Sequence, residues 1–369
     1  MTRHVYLVPG FFGFTSLGEL GYFTHVIDFL APRVRAEIHV VTTRPTASLP
    51  VRAALVVQAM ADTMRPGDEA HLVGHSSGGL DVRLAVTPGV ALETAADVER
   101  HARAVRSVVT LSTPHHGTPL ASFFASLLGA RLLELLSLTT MALLRFGGLP
   151  ISLLLQLGGV LARLDDRVGM NSALLDELFD QLLANFTPER RVAVETFLGD
   201  VSRDQALLPQ LTPEGMEVFN ASTRDRPGVR YASVLTRARP PGVLSTLSAG
   251  LDPSAQATHA IYQALYRLAS RTPVRKAPAI PRAAGRIVRR AYGAVPAASD
   301  NDGVVPTRSQ PWGDVIHAAR ADHLDTIGHF GDVAHVPPHV DWLTTGTGFD
   351  RPQFEALWTA VVGHLDTSE

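Results

Sequence analysis

The chain of 369 residues is long enough to bury a large core, and its composition, 46% hydrophobic and 18% charged, is that of a globular protein. A formal net charge of -2 argues against a nucleic-acid-binding protein, and the absence of cysteine excludes disulfides, thiolate metal sites and a cysteine nucleophile. The first residues run straight into an apolar segment without the pattern of a secretory leader. We therefore expect a cytoplasmic protein, or a secreted one if a leader has been removed.

In chain order, short apolar runs alternate with segments of helical spacing over the first 119 residues. Strands are predicted in "HVYLV", "EIHVVTT", "EAHLVG" and "AVRSVVTL". Helices are predicted in "YFTHVIDFLAPRV", in "LPVRAALVVQAMADTM" after the N-cap residue Ser48, and from Gly78 onward. Strands that alternate with helices in this way predict the α/β class, with a parallel, doubly wound sheet.

The alternation stops near Pro119, and leucine-rich helical patterns follow. The uncharged stretch 146–162 contains Pro150 and is shorter than the roughly 20 apolar residues that cross a bilayer. We interpret residues 120–200 as a helical lid or cap over something apolar, with a membrane span as the alternative. The domain prediction is a core of residues 1–119 and 201–369 with this insertion at 120–200.

The core pattern then resumes. Strands are predicted in "GVRYASVLT" and "DVIHAARAD", and helices over 254–270 and in "DRPQFEALWTAVVGHL". The segment 271–290 holds seven basic residues, three prolines and no acidic residue. It predicts a solvated loop, with contact to anionic lipid head groups as the alternative.

One short stretch, "HLVGHSSGGLDV", carries the strongest chemical signal. Its centre, Gly74-His75-Ser76-Ser77-Gly78, fits the pattern G-x-S-x-G, between a predicted strand and a predicted helix. A serine on such a sharp turn has strained backbone angles, and the flanking glycines relieve the clashes between strand and helix. Ser76 is therefore the predicted nucleophile, and an ordinary glycine-rich turn is the alternative.

A serine nucleophile needs a base, and the base needs an acid that orients it. The order serine, acid, histidine along the chain selects the turn "DNDGVVP", with Asp300 and Asp302, and then His323. Acid and base should each follow a late strand at the carboxyl edge of the sheet. The other histidines that recur every six residues around His323 are interpreted as surface or packing residues.

The oxyanion of the tetrahedral intermediate also needs hydrogen-bond donors. One should be the backbone N–H of Ser77, directly after the nucleophile. The other should come from the loop "PGFFG" after the first strand, where Phe11 N–H is the natural donor.

With these residues placed, the chain resembles the α/β-hydrolase superfamily, and within it the bacterial lipases of the Pseudomonas and Burkholderia type. The resemblance rests on "YLVPGFFGF", "LVGHSSGG", "STPHHGTPLA", "NDGVVP" and "DHLD". It implies a triad of Ser76, Asp302 and His323, with Asp302 preferred to Asp300, and an oxyanion hole at Phe11 and Ser77. The family has His-Gly in the oxyanion loop where this chain has Pro9-Gly10.

The resemblance also implies a structural calcium near the catalytic histidine, held by two aspartates and backbone carbonyls. These aspartates match Asp325 and Asp252, and oxygen ligands suit Ca²⁺. The alternative for Asp252 is the N-cap of the helix that follows it. No cofactor is expected for the catalytic step itself.

The expected function is hydrolysis of lipid-like carboxylic esters through an acyl-enzyme, with a membrane or lipid interface as a further expected partner once the lid opens. A fixed cap would instead give an esterase for soluble esters. Three further alternatives remain open from the sequence: an acyltransferase, a polyester hydrolase, and a non-catalytic ligand binder on the same fold.

Overall fold

The computed structural model describes residues 1–11, 21–146, 151–162, 172–184, 204–242, 252–271 and 278–366, together with isolated positions between these ranges. The strands are β1 Arg3–Val8, β2 Glu37–Val40, β3 Glu69–His75, β4 Val105–Leu111, β5 Arg230–Thr236 and β6 Asp314–Ala319. The helices of the core are α1 Thr24–Leu30, α2 Leu49–Thr63, α3 Gly78–Ala85, α4 Val98–Ala104, α9 Leu207–Gln210, α10 Pro213–Ser222, α11 Pro253–Ala269, α12 Gly285–Tyr292 and α13 Arg351–Asp366. Between α4 and α9 lie α5 Pro119–Phe124, α6 Leu127–Phe146, α7 Ile151–Ala162 and α8 Ser172–Ala184.

The six strands form one sheet in the order β2-β1-β3-β4-β5-β6, and all five pairings between neighbours are parallel. The chain moves outward from β1 to β2, then returns to β3 and continues to the other edge. The predicted α/β class and doubly wound parallel sheet are therefore confirmed. In such sheets the crevice beside the reversal, here at the carboxyl ends of β1 and β3, is the usual position of a ligand site.

Apolar side chains cover both faces of the sheet, because successive residues of a strand point to opposite faces. In β1, Val5 and Leu7 belong to the core on one face, while Tyr6 and Val8 belong to the core on the other. The first core packs against α1, α6, α11 and α13, and the second against α2, α3 and α10. Strands β1, β3, β4 and β5 are largely buried on both sides, which explains why they appear as continuous apolar runs in the sequence, whereas the edge strand β2 is partly exposed.

Helices α5 to α8 lie in the part of the chain that was predicted as a helical insertion. Helix α7 packs on α11 so closely that a Cβ at Gly158 would lie 3.4 Å from both the Ala257 carbonyl oxygen and the Ala260 Cβ. None of the helices that the structure describes is both long and apolar enough to span a membrane. The boundaries of the insertion stay a prediction.

Two local predictions need correction. The basic segment 271–290 is not a loop at its carboxyl end, because Val288 and Tyr292 bury one side of α12 against β5 and β6 and Gly293 ends the helix with a φ of +80°. Ser48 does precede α2, but its side chain makes no capping hydrogen bond. The side chain of Gln210 accepts from the Leu49 N–H instead.

Candidate active site

Ser76 lies on a tight turn between β3 and α3, as predicted. Its φ of +56° falls in the left-handed region, which a side chain rarely adopts. The flanking glycines are required by contact: a Cβ at Gly74 would lie 2.4 Å from the Gly78 carbonyl oxygen, and one at Gly78 would lie 2.2 Å from the Val8 carbonyl oxygen. The strained turn therefore depends on a close approach of strand, helix and neighbouring strand that only glycine permits.

The structure brings the three predicted triad residues together. His323 Nε2 lies 2.9 Å from Ser76 Oγ, and His323 Nδ1 lies 2.9 Å from Asp302 Oδ2. The three side chains are buried, although 247 positions separate the serine and the histidine in sequence. Because the carboxylate only accepts, Nδ1 carries the proton and Nε2 presents its lone pair to the serine hydroxyl.

Asp302 has a full set of hydrogen-bond donors. Its Oδ1 accepts from the N–H groups of Val304 and Val305, at 3.0 and 2.7 Å. Its Oδ2 accepts from Thr236 Oγ1 at 2.8 Å and Gln310 Nε2 at 3.2 Å, in addition to the histidine. Sequence reasoning missed Thr236 and Gln310, because nothing in their local pattern marks a side chain that will face a carboxylate 66 or 8 residues away.

The predicted position of the acid relative to the strands is wrong, whereas that of the base is right. His323 follows β6, but Asp302 precedes it, in the turn between α12 and β6, and reaches the carboxyl end of β5 through Thr236. The alternative acid, Asp300, bonds elsewhere: its Oδ1 accepts from Arg237 and its Oδ2 from the Ala297 N–H.

The loop after β1 lies directly against Ser76, the predicted nucleophile. A Cβ at Gly10 would lie 2.5 Å from Ser76 Cβ and 3.0 Å from Ser76 Oγ, so this residue must be glycine. Phe11 lines the same pocket as Ser76 and His323. The N–H of Ser77 donates no hydrogen bond to another backbone group in the part of the chain that the structure describes. Phe11 and Ser77 as oxyanion donors stay a prediction that this placement allows.

A fully buried ion pair holds that loop in place. The guanidinium of Arg52 contacts the Asp81 carboxylate at 2.7 Å and donates to the carbonyl oxygen of Pro9 at 2.8 Å. Burial raises the pKa of Asp81 to about 6, and the guanidinium opposes this rise. The sequence contained a signal that we did not use: Arg52 is the only charged residue in the apolar run "LPVRAALVV", and Asp81 is the only acidic residue in "GGLDVRLAV".

Tyr22 and His75 connect the loop after β1 to the histidine of the triad. Because His75 Nε2 donates to the backbone carbonyl of His323 at 2.8 Å, His75 Nδ1 must accept from the Tyr22 hydroxyl at 2.7 Å. The hydroxyl oxygen in turn accepts from the Gly10 N–H at 3.3 Å. Burial and the nearby His323 hold the pKa of His75 well below its usual range, so His75 stays neutral in this network.

We expect Tyr22→Phe to lower kcat for the predicted ester hydrolysis by about tenfold. This corresponds to a rise of about 1.4 kcal/mol in the activation free energy, because His323 is held less firmly. It should also lower the free energy of unfolding by about 1–3 kcal/mol, because His75 Nδ1 loses its buried donor. Steady-state kinetics and urea unfolding measure the two effects. Tyr6→Phe is the matched control: the Tyr6 hydroxyl bonds Thr63 at the end of α2, so its loss should leave kcat unchanged. Equal effects of both variants on kcat would contradict this role for Tyr22.

Ser76 and His323 line one end of an apolar pocket that is open to solvent. One wall comes from the region of the predicted insertion, through Leu120, Ala121 and Phe124 of α5 and Leu133, Leu136, Thr139 and Thr140 of α6. The opposite wall includes Ile261 and Leu265 of α11, and Leu343. A pocket lined mostly by apolar side chains beside Ser76 is suited to the apolar part of a substrate.

The two predicted calcium ligands do not lie in one group. Asp252 is the N-cap of α11, with Oδ2 accepting from the Ala255 N–H at 2.8 Å, which is the alternative role named above. Asp325 instead lies with Asp322 and Asp341, and one carboxylate oxygen from each falls within 4.8 Å of the others. The geometry thus replaces Asp252 by two aspartates that sequence reasoning missed; one of them, Asp322, stands directly before the triad histidine.

This carboxylate group has the electrostatics of a cation site. Burial, together with the charge on Asp302, raises the pKa of Asp322 to about 7, although three hydrogen-bond donors oppose the shift. Burial and the neighbouring Asp322 and Asp341 hold the pKa of Asp325 well above its usual range. Asp322 Oδ2 is buried without a hydrogen-bond partner within the described ranges. The group therefore fits a hard, oxygen-liganded cation such as Ca²⁺.

Comparison with known proteins identifies the fold. No protein family matches the sequence, and no curated protein matches it either. Lipase 1 from Pelosinus fermentans has a similar structure with a TM-score of 0.54 and 16% identity, over 100% of this chain and 99% of that one. EstA from Clostridium botulinum gives a TM-score of 0.51 and 17% identity, over 95% of this chain and 87% of that one. A metagenomic carboxyl esterase gives a TM-score of 0.51 and 16% identity, over 98% of this chain and 76% of that one.

The chain accordingly has the α/β-hydrolase fold, and this prediction is confirmed. The solved structures named above are lipases and esterases at 16–17% sequence identity. The closer resemblance to lipases of the Pseudomonas and Burkholderia type stays a prediction.

Proposed function

We propose that the protein is a serine carboxylic-ester hydrolase that acts through an acyl-enzyme. The observation that carries the proposal is the continuous hydrogen-bonded chain from Ser76 Oγ through His323 to Asp302, at the edge of an apolar pocket. A nucleophile, a base and an orienting acid within hydrogen-bond reach are the requirements for this chemistry.

The reaction follows from the geometry. His323 Nε2 takes the proton of Ser76 as the hydroxyl attacks the ester carbonyl, and Asp302 stabilises the imidazolium that forms. The N–H groups of Phe11 and Ser77 stabilise the oxyanion. The imidazolium then protonates the leaving alcohol, and water repeats the cycle on the acyl-enzyme with the same base.

The proposed substrates are esters with a long apolar acyl chain. The apolar pocket between α5, α6 and α11 supports this, since it offers the acyl chain contact with leucine and isoleucine side chains. On the outer side of the same region, Ile151 and Leu155 of α7 are 43% and 50% exposed at adjacent turns of one helix. Such an exposed apolar pair favours contact with a lipid interface, and we propose that residues 120–200 act as a lid there.

Hydrolysis of p-nitrophenyl esters from acetate to palmitate tests both parts of the proposal. We expect rates that rise toward the longer chains, because each additional buried methylene contributes about 0.8 kcal/mol. Rates that peak at short chains would contradict the lid and the lipid substrate but leave the esterase chemistry in place. No turnover of any ester would contradict the hydrolase proposal itself.

We further propose a structural calcium at Asp322, Asp325 and Asp341, in place of the Asp252 and Asp325 pair that the lipase resemblance implied. A bound Ca²⁺ would offset two of the three negative charges of these carboxylates, which stand before, within and after the short 3-10 helix Asp325–Ile327. This would hold the backbone that follows His323 in one position and so keep the imidazole aimed at Ser76.

Without calcium, the free energy of unfolding should fall as the pH rises from about 4 to about 7. The folded pKa of Asp322, about 7, lies above its unfolded value of 3.8, so the stabilising contribution is present below the unfolded pKa and is lost as the pH rises through the folded one. The expected loss is on the order of a few kcal/mol. Urea unfolding in EDTA measures it, and millimolar calcium should restore stability at the higher pH.

Asp341→Asn should weaken this response to calcium, whereas Asp252→Asn should leave it intact, because Asp252 caps a helix outside the group. A response that depends on Asp252 and not on Asp341 would favour the original pair. Stability that is independent of pH and calcium would contradict the site.

A further inference from the structure

A second group of side chains of the types that bind metals lies on β1 and β2, away from the carboxyl edge of the sheet that carries Ser76. In the parallel pairing of β1 and β2, His4 is opposite Glu37 and Tyr6 is opposite His39. Since side chains two residues apart in a strand share a face, Glu37 and His39 project to one side, where His4 joins them. His4 precedes Gly10 by six residues, about 20 Å along an extended chain, so this group is remote from the nucleophile.

The three ligand atoms are spaced as a metal ion requires. His4 Nδ1 lies 3.0 Å from His39 Nε2 and 3.7 Å from Glu37 Oε2, and His39 Nε2 lies 3.9 Å from the same carboxylate oxygen. Ligand atoms at 2.0–2.1 Å from a tetrahedral zinc ion are about 3.4 Å apart, close to the middle of these three separations. Small movements of the two rings and of the exposed glutamate would therefore bring all three atoms to bonding distance.

The group is oriented in the way that metal-binding histidines usually are. His4 Nε2 lies 3.3 Å from Asp68 Oδ2, and this carboxylate also accepts from the N–H groups of Thr2 and Arg65, so it is held in place. The bond from Nε2–H to Asp68 leaves the lone pair of His4 Nδ1 directed at His39 and Glu37. A carboxylate behind the histidine fixes the tautomer and makes the ring a stronger ligand.

The exposure of the group suits exchange with solvent. His4 is 1% exposed and anchors the site in the fold, whereas the Glu37 side chain is 62% exposed and the His39 side chain 22%. The ring of His39 also packs over Tyr6, with centroids 4.9 Å apart and planes 20° from parallel. A cation can therefore enter from solvent and be bound by both imidazoles. With three protein ligands, a tetrahedral ion keeps its fourth coordination position for water.

We propose that His4, His39 and Glu37 bind a divalent transition-metal cation of the Zn²⁺ class, and that Asp68 positions His4 for it. Two imidazoles and one carboxylate favour zinc and its late first-row neighbours over Ca²⁺ or Mg²⁺, which take oxygen ligands. On binding, the proton that His39 Nε2 donates to His4 Nδ1 moves to His39 Nδ1, and the cation takes its place between the rings. The ion ties the edge strand β2 to β1, and its effect is on stability rather than on the ester chemistry.

The test uses the full chain without a histidine tag, stripped with EDTA, desalted and titrated with ZnCl₂. Bound zinc after desalting and the thermal midpoint of unfolding are the two readouts, and neither depends on the proposed hydrolase function. We expect retention of zinc and a rise in the midpoint, because a ligand that binds only the folded state stabilises it. His39→Gln and Glu37→Gln should each weaken zinc binding at least tenfold, and Asp68→Asn, which removes an outer partner, by about 10–100-fold.

A second histidine group provides the control. His25, His335 and His339 also gather, but the rings of His25 and His339 stack face to face with centroids 3.8 Å apart, so their in-plane lone pairs run side by side. The rings of His4 and His39, with centroids 5.2 Å apart, instead meet nitrogen to nitrogen at 3.0 Å. His335→Gln should therefore leave zinc binding unchanged. Failure of the wild type to retain zinc, or binding that is lost in His335→Gln and kept in His39→Gln, would overturn the proposal.

Discussion

Replacement of Ser76 by alanine should lower kcat toward carboxylic esters by about a million-fold, to the background rate of the assay. The reason is structural: Ser76 Oγ is the atom that His323 Nε2 contacts at 2.9 Å, and alanine leaves the base with nothing to activate. Binding of the acyl chain should persist, because the apolar walls of the pocket are untouched.

The same variant should fold normally. The φ of +56° at position 76 is as unfavourable for alanine as for serine, so the backbone strain in the turn is unchanged. The thermal midpoint of unfolding should therefore stay close to that of the wild type. A fluorophosphonate probe followed by mass spectrometry should label the wild type at Ser76 and fail to label the variant. Retained activity, or labelling at a different serine, would remove Ser76 from the mechanism.

The predictions that succeeded rest on short-range patterns. The G-x-S-x-G turn was predictable because sterics alone require glycine at 74 and 78 between a strand and a helix. The parallel sheet was predictable because strands buried on both faces appear as continuous apolar runs. Chain order also placed His323 beside Ser76, once the type of turn was recognised, whereas the catalytic roles of the two residues stay a prediction.

The residues that were missed act through long-range contacts. Arg52 supports the loop after β1 from a position 43 residues beyond Pro9, and Thr236 supports the acid from 66 residues before it. No periodic pattern in the sequence indicates contacts between residues so far apart along the chain. Likewise, Asp322 and Asp341 were not recognised as partners of Asp325, because their approach depends on how the loop after β6 folds back over α11 and not on a local motif.

Asp302→Asn tests the acid, and we expect it to lower kcat by about ten-thousand-fold. The five donors around Asp302 explain why asparagine cannot substitute. The Oδ1 position faces the fixed N–H groups of Val304 and Val305, so the amide oxygen must occupy it. The amide NH₂ then takes the Oδ2 position and donates to His323 Nδ1.

That donation forces the imidazole into the other tautomer, with the proton on Nε2, so it faces the serine hydroxyl as a donor and cannot act as the base. Asp300→Asn is the matched control: it changes the same chemical group two residues away, where the carboxylate bonds Arg237 and the Ala297 N–H, and should leave kcat within a few-fold of the wild type. Kinetics on one ester with both variants separates the two aspartates. A large loss in Asp300→Asn with little change in Asp302→Asn would reverse the assignment, because only the acid that orients the histidine controls which nitrogen meets Ser76.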